Sequence, residues 1–395
     1  MNRPFLLAAA LPLTAASAGA GSLVRVEEPI ADRYIVVLKE GVARSGRAPA
    51  SAGPSVASVA DDLARGHGAV VERVFEHALR GFAVRMPAAA VALLAADRRV
   101  DYVEQDGRMG IDTTETNATW GIDRIDQHAL PLSTTYSYTN TGAGVTAYII
   151  DTGILFTHVE FAGRAVSGFD AVDGGPALDC HGHGTHVSGT VGGTAFGVAK
   201  QVQLVGVRVL DCGGSGSTAG VIAGVDWVTG DHAAGAPAVA NMSLGGGASR
   251  SLDTAVRNSI ADGVSYAIAA GNGNIFGIAK RACRTSPARV AEAMTISATD
   301  KTDRKASFAN FGDCVDWFAP GVGITSSFNA SDTATAVFSG TSMAAPHTAG
   351  VAALYLQSNP AATPAQVRDA LFAKTTKGIV TSSKTVNNHL LFTDY

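Results

Sequence analysis

The sequence predicts a three-layer α/β/α sandwich with a mainly parallel sheet, preceded by a small α+β domain. Three observations carry this. From Trp120 onward, short apolar runs recur between longer segments of helical character, as expected for strands covered on both faces. Upstream of that point, strand-like and helix-like segments follow the order βαββαβ. At 395 residues and 46% hydrophobic composition, the chain can build a sizeable core in more than one domain.

Arg3, the apolar stretch from Phe5 to Ala16 and the small residues of Ala16-Ser17-Ala18 and Ala18-Gly19-Ala20 form a signal-peptide pattern over residues 1–20. The apolar run is too short to span a bilayer comfortably, and no later stretch is longer, so a secreted, extracellular protein without a membrane partner is expected. Residues 31–107 form the small domain. Strands are expected at Tyr34 to Leu38, Val70 to Phe75, Phe82 to Met86 and Tyr102 to Glu104, with helices at Val56 to Ala64 and Ala88 to Ala96. This is the ferredoxin-like arrangement, with a Gly, Ala, Pro and Ser-rich loop from Ser45 to Ser55. Residues 108–119 are polar and aperiodic, a processing region in this reading. Residues 120–395 make up the large domain. Its strands are placed at Val145 to Ile150, Gln203 to Val209, Val239 to Met242, Ser265 to Ala270 and Met294 to Ser297. Helices are expected at Ser217 to Trp227, Leu252 to Ile260, Ala344 to Leu356 and Pro364 to Lys374. Thr363-Pro364-Ala365-Gln366 supplies a capping box with proline at the first helical position. No internal repeat is found.

A formal net charge of −4 without a long basic run gives no electrostatic footprint for nucleic acid. In an exported chain, four cysteines read as two disulfides, and four allow three pairings. Asn117-Ala118-Thr119 and Asn329-Ala330-Ser331 are glycosylation sequons, relevant in a eukaryotic secretory route.

Ser342 lies in Gly340-Thr341-Ser342-Met343-Ala344-Ala345-Pro346, just after a glycine at the start of a predicted helix. A serine hydroxyl needs a base and a group that orients the base. Asp151 ends a predicted strand, where ligands of open α/β sheets gather. His183 sits in His181-Gly182-His183-Gly184-Thr185-His186. The chain order Asp, His, Ser is that of subtilisin and not of chymotrypsin or the α/β-hydrolases. Together, Asp-Thr-Gly-Ile (151–154), His-Gly-Thr-His (183–186) and Gly-Thr-Ser-Met-Ala (340–344) resemble the subtilisin-like serine proteases. Asp-Cys-His-Gly-His-Gly-Thr-His (179–186), Val-Arg-Val-Leu-Asp-Cys (207–212), Ala-Gly-Val-Asp-Trp-Val (223–228) and Ser-Pro-Ala-Arg-Val-Ala-Glu-Ala (286–293) are similar to the proteinase K type and its bacterial aqualysin-like members. A metal reading of Cys180 and the three histidines fits no usual zinc spacing.

The resemblance implies a subtilisin-like fold and a secreted, monomeric endopeptidase acting on polypeptides without a catalytic cofactor. Its triad would be Asp151, His183 and Ser342. Asn272 in Ala269-Ala270-Gly271-Asn272 would be an oxyanion donor. His186 would be a packed helix residue and His181 a surface one. Residues 31–107 would be an inhibitory propeptide, cut off by the enzyme itself near Asp112. A substrate would lie as an added strand between Gly213-Gly214-Ser215-Gly216 and Ser243-Leu244-Gly245, with Ala269, Ala270 and Gly271 flooring the main specificity pocket. These segments carry no carboxylate to hold Lys or Arg, so apolar and aromatic side chains are expected before the cut. The resemblance also pairs Cys180 with Cys212 and Cys283 with Cys314. It implies structural calcium at Asp316, with the carbonyls of Ala291 and Ala293. Asp123, Asp126 and Gln127 match a second cation site in part, Ser133 and Thr135 replacing more oxygen-rich side chains. A third, near Thr376-Lys377-Gly378, lacks its aspartate.

Overall fold

The computed structural model describes residues 22–26, 29–44, 46–110, 114–115, 120–274 and 277–395. The expected signal peptide lies outside the described residues, as does Asp112. The large domain is built on a sheet in which Ala165–Asp170, Gln203–Arg208, Thr146–Asp151, Ala238–Met242, Ser265–Ala269, Met294–Thr299 and Trp317–Pro320 run parallel in that spatial order. The predicted parallel strands are all present. The first and last of the seven, Ala165–Asp170 and Trp317–Pro320, extend the sheet beyond them.

Strand periodicity sorts the side chains into two layers. Tyr148, Ile150, Val205, Val207, Ala240 and Ile268 pack against the helices Thr218–Asp231 and Arg250–Asp262. On the other face, Ala147, Ile149, Leu204, Val239 and Ala267 meet His183–Gly192, Thr341–Ser358 and Pro364–Lys374. The result is the expected three-layer sandwich. Thr363 and Gln366 form the predicted capping box at the start of the last helix.

The small domain has the predicted βαββαβ order. Its strands Pro29–Leu38, Val70–Phe75, Gly81–Arg85 and Val100–Gly110 form an antiparallel sheet with the last strand beside the first. Tyr34, Val36 and Leu38 point into its own core with Val59, Leu63 and Leu94. Ile35 and Val37 point the opposite way, joining Phe75, Leu79 and Tyr102 in the cluster that holds the helices Thr218–Asp231 and Arg250–Asp262. Full burial of a large apolar side chain contributes about 1.5–3 kcal/mol, so this second face contributes substantially to the docking of the two domains.

Candidate active site

Asp151 ends the strand Thr146–Asp151, inside the sheet, and is fully buried. Its Oδ1 accepts hydrogen bonds from the backbone N–H of Thr152 (2.7 Å) and from His183 Nδ1 (2.7 Å), the imidazole being taken as the tautomer protonated at Nδ1. His183 opens its helix, and the two elements meet through a close backbone approach. A Cβ on Gly184 would lie 2.1 Å from the carbonyl oxygen of Gly153, so only glycine fits. Gly182, the N-cap, has φ 103°, a left-handed value suited to glycine. Asp179 pins the turn: its carboxylate accepts from the N–H groups of His181, Gly182 and Thr185 and from the hydroxyls of Thr152 and Thr185. Sequence reasoning assigned Asp179 no role. Its position three residues before the N-cap Gly182 was the available signal.

Ser342 lies in the first turn of its helix, where backbone N–H groups lack intrahelical partners. Its Oγ donates to the carbonyl oxygen of Ser243 at 3.0 Å, and Ser243 Oγ donates back to the Ser342 carbonyl at 2.7 Å. Among the described residues no partner is recorded for His183 Nε2, which is buried. The serine and imidazole are thus placed by their elements, while the Ser342 hydroxyl is directed at Ser243 and not at the imidazole. Hydrogen bonds between nucleophile and base commonly tighten only once the reacting complex forms.

Asn272 Oδ1 accepts from Thr341 N–H (2.8 Å) and Thr341 Oγ1 (3.0 Å). With the oxygen held there, the planar amide directs its nitrogen to the opposite side. Thr341 Oγ1 also accepts from Gly271 N–H, and Asn310 braces the same loop. Asn310 Nδ2 donates to Ala270 O (2.8 Å), while its Oδ1 accepts from Gly273 and Lys280 N–H. Thr341 stood within the Ser342 string without a role of its own, and Asn310 lay in no string at all.

His186 is buried, with Nε2 bonded to the Ile324 carbonyl and its ring stacked on Phe338. Burial brings its pKa down to about 3, so it stays neutral and structural, as expected. Cys180–Cys212 and Cys283–Cys314 are bonded as the resemblance implies. With sequence separations of 32 and 31, each bond stabilises by about 3–4 kcal/mol in the chain-entropy model.

The two Gly-rich segments receive a strand, in a shifted register. Ser215–Ser217 pairs antiparallel with Arg108 to Gly110, the end of the small domain, and Gly245 and Gly246 pair antiparallel with Gly110 and Met109 on the other edge. Gly213 and Gly214 do not pair. They form a turn held by Asp211, whose carboxylate accepts from Gly213 and Ser215 N–H. Ser243 serves Ser342, and Leu244 is buried in the core. Beyond the cleft, Thr114 and Glu115 pair antiparallel with Ser339 and Phe338, on the strand leading to Ser342.

The small domain also caps the large one. Glu104 and Asp106, two residues apart on one strand and therefore on one face, reach two helix starts. Glu104 accepts from Ser251 N–H (2.7 Å), Ser251 Oγ (2.9 Å) and Ser249 Oγ, and Asp106 accepts from Ala219 N–H (2.7 Å). In return, Asp226 accepts the N–H groups of Glu76, His77 and Ala78.

Burial pushes the Asp106 carboxyl up to about 6, against the Ala219 hydrogen bond, and raises Glu104 as well. Docking therefore binds protons that a released, water-facing domain would not hold. Affinity of the small domain is expected to be greatest in acid and to fall as pH rises from about 4 to about 6, by up to about a hundredfold for Asp106 alone, then to level off. Calorimetric titration of the separate domain onto phosphonylated enzyme would check the sign. Binding that tightens with rising pH would mean that the hydrogen bonds outweigh the burial.

The implied calcium ligands have a different partner. Asp316 Oδ2 accepts from Thr295 N–H (2.8 Å), while Oδ1 accepts from Arg368 Nε (3.1 Å) and Nη2, and Arg368 Nη1 donates to the Ala291 carbonyl (2.9 Å). Asp316 and Ala291 thus hold a guanidinium where an ion was expected, and Ala293 has no part in that contact. In the second cluster, Asp123 is taken up by Ser133 and Thr134, and Gln127 Oε1 by Ser133 N–H. Among the described residues no group of three or more His, Cys, Asp or Glu is arranged to hold a metal.

A serine, an imidazole held by a buried carboxylate, an amide held through its oxygen by Thr341 and a strand paired between the two Gly-rich edges all suit acyl transfer. The model of the subtilase family matches residues 142–390, and that of the peptidase inhibitor I9 family matches residues 33–112. The chain belongs to the subtilase family. It is a subtilisin-like serine proteinase carrying an I9 propeptide. The extracellular serine proteinase of Thermus sp. (strain Rt41A) is 50% identical over 394 residues, covering 96% of this chain and 94% of that protein. Alkaline serine exoprotease A of Vibrio alginolyticus is 50% identical over 370 residues, covering 92% and 67%. The crystal structure of a cold adapted subtilisin-like serine proteinase superposes with a TM-score of 0.67 at 52% identity, covering 70% of this chain and 98% of that one. No helix among the described residues is long and apolar enough to cross a membrane.

Proposed function

We propose that this subtilase is an extracellular endopeptidase made as a zymogen, which cuts its own propeptide between Gly110 and Thr114 and then hydrolyses polypeptides with apolar or aromatic preference. The observation that carries the reading is the strand pairing on either side of Ser342. Arg108 to Gly110 enter along one pair of edges, and Thr114 and Glu115 leave along another. The bond presented to the nucleophile then falls between those two stretches. His183 accepts the Ser342 proton as Oγ bonds to the scissile carbonyl carbon, and Asp151 stabilises the imidazolium. Asn272 and the Ser342 N–H hold the oxyanion. The C–N bond breaks as His183 returns the proton to the leaving amine, and water then releases the acyl group. Residues 1–20 act as the signal peptide, the propeptide ends within 108–119, and the enzyme works as a monomer.

Preference before the cut follows from the absence of a carboxylate in the segments 213–216, 243–246 and 269–271. The Asp211 carboxylate nearby is occupied by the turn it holds. N-terminal sequencing of the secreted form is expected to begin between Ile111 and Thr114. Specificity constants on peptides ending in Phe, Leu, Lys and Glu are expected to favour the first two by tenfold or more, the scale of a few buried methylenes. A mature chain starting well outside that window overturns the threading. A preference for Lys overturns the pocket assignment.

A further inference from the structure

We propose that Arg368 is the resident cation of the site that family resemblance assigns to calcium, so that this corner of the fold is held without the metal. Asp316 is 6% exposed, and a carboxylate so placed requires a counter-charge. The structure supplies it from within the chain. Arg368 projects from the helix Pro364–Lys374 and spans two of the three implied ligands, with Nε and Nη2 on Asp316 Oδ1 and Nη1 on the Ala291 carbonyl. The remaining carboxylate oxygen, Oδ2, already accepts the Thr295 N–H.

Calcium and this guanidinium exclude each other. The ion needs about six to eight oxygens at roughly 2.3–2.6 Å, and Arg368 directs N–H groups at the same oxygens while carrying the same sign of charge. A guanidinium is permanently charged and offers donors in a planar fork, a geometry matched to a carboxylate and a nearby carbonyl. It joins the two segments an ion would join, the one before Trp317–Pro320 and the loop at Ala291, and ties both to the helix Pro364–Lys374 as well. The difference lies in supply. A bound ion stabilises in proportion to its free concentration, whereas a side chain is present at every calcium level.

The test uses the full chain in a Ser342→Ala background, which cannot digest itself, and reads melting midpoints with calcium and with a chelator. With Arg368 in place, the calcium-induced shift is expected to be the same in Asp316 and Asp316→Asn proteins, any common shift arising elsewhere. Removing the guanidinium as Arg368→Ala, or more conservatively as Arg368→Gln, is expected to lower the midpoint in chelator and to create a calcium response. At about a hundredfold excess over the dissociation constant, that response is roughly 3 °C for a chain of this length. Adding Asp316→Asn is expected to abolish it, and calorimetric calcium titration to show one site gained and lost in parallel. Two results overturn the inference. One is a calcium shift in the Arg368-bearing chain that Asp316→Asn removes, an arm that needs no variant of the arginine. The other is the failure of both Arg368 variants to gain an Asp316-dependent response.

Discussion

Ser342→Ala is expected to lower turnover on casein and on a chromogenic peptide ending in Phe by about a millionfold, the scale known for subtilisin, a member of the same family. The geometry explains why nothing substitutes. Asp151 and His183 remain joined at 2.7 Å in the variant, but a base without a nucleophile beside it has no bond to form. The second consequence is visible on a gel. If the enzyme matures itself, the Ser342→Ala chain accumulates uncut, with residues 108–110 still paired to both cleft edges. Normal processing in a host without other proteases would assign the cut to another enzyme. Activity within tenfold of wild type would remove Ser342 from the nucleophile's role.

Asn272→Ala is expected to lower kcat by about 10²–10³-fold with little change in KM, a magnitude established in subtilisin itself. Here the reasoning rests on how the amide is held. Two donors from Thr341 fix its oxygen, and Thr341 is the residue next to Ser342, so the amide is positioned by the nucleophile's own neighbour. A group aimed in advance costs no reorganisation when charge develops on the carbonyl oxygen, and its removal is felt in the transition state more than in the bound substrate. Steady-state kinetics on the peptide separate the two. A rise in KM at constant kcat would make Asn272 a substrate-binding residue.

The sequence was most readable where chemistry and backbone coincide in short strings. Asp151, His183 and Ser342 each lie within such a string, and the strands that place them are apolar enough to be recognised. Ala165–Asp170 was harder, because only its ends are buried and its middle, Val-Ser-Gly-Phe, is exposed or half-exposed and follows no alternation. Trp317–Pro320 is too short for periodicity to register. The shifted register of the cleft had a similar cause, since consecutive glycines carry no side-chain pattern to say which of them pair. Arg368 was invisible for another reason. It is 52 residues from Asp316, and nothing local marks a helix arginine as a counter-charge. Long-range polar bracing by Asn310 and Asp179 was hidden in the same way: each is a polar residue in a turn until its partners are known.

The alternation along Tyr34–Leu38 separates two properties of the propeptide. Even-numbered side chains support its own core, whereas Ile35 and Val37 grip the enzyme. How tightly the severed piece clings and how long it survives digestion are therefore written in interleaved but different residues. A loosely built piece is destroyed soon after it lets go, because proteolysis follows the population that opens. The interval between the first cut and full activity is thus a timer with two independent settings, carried on one strand.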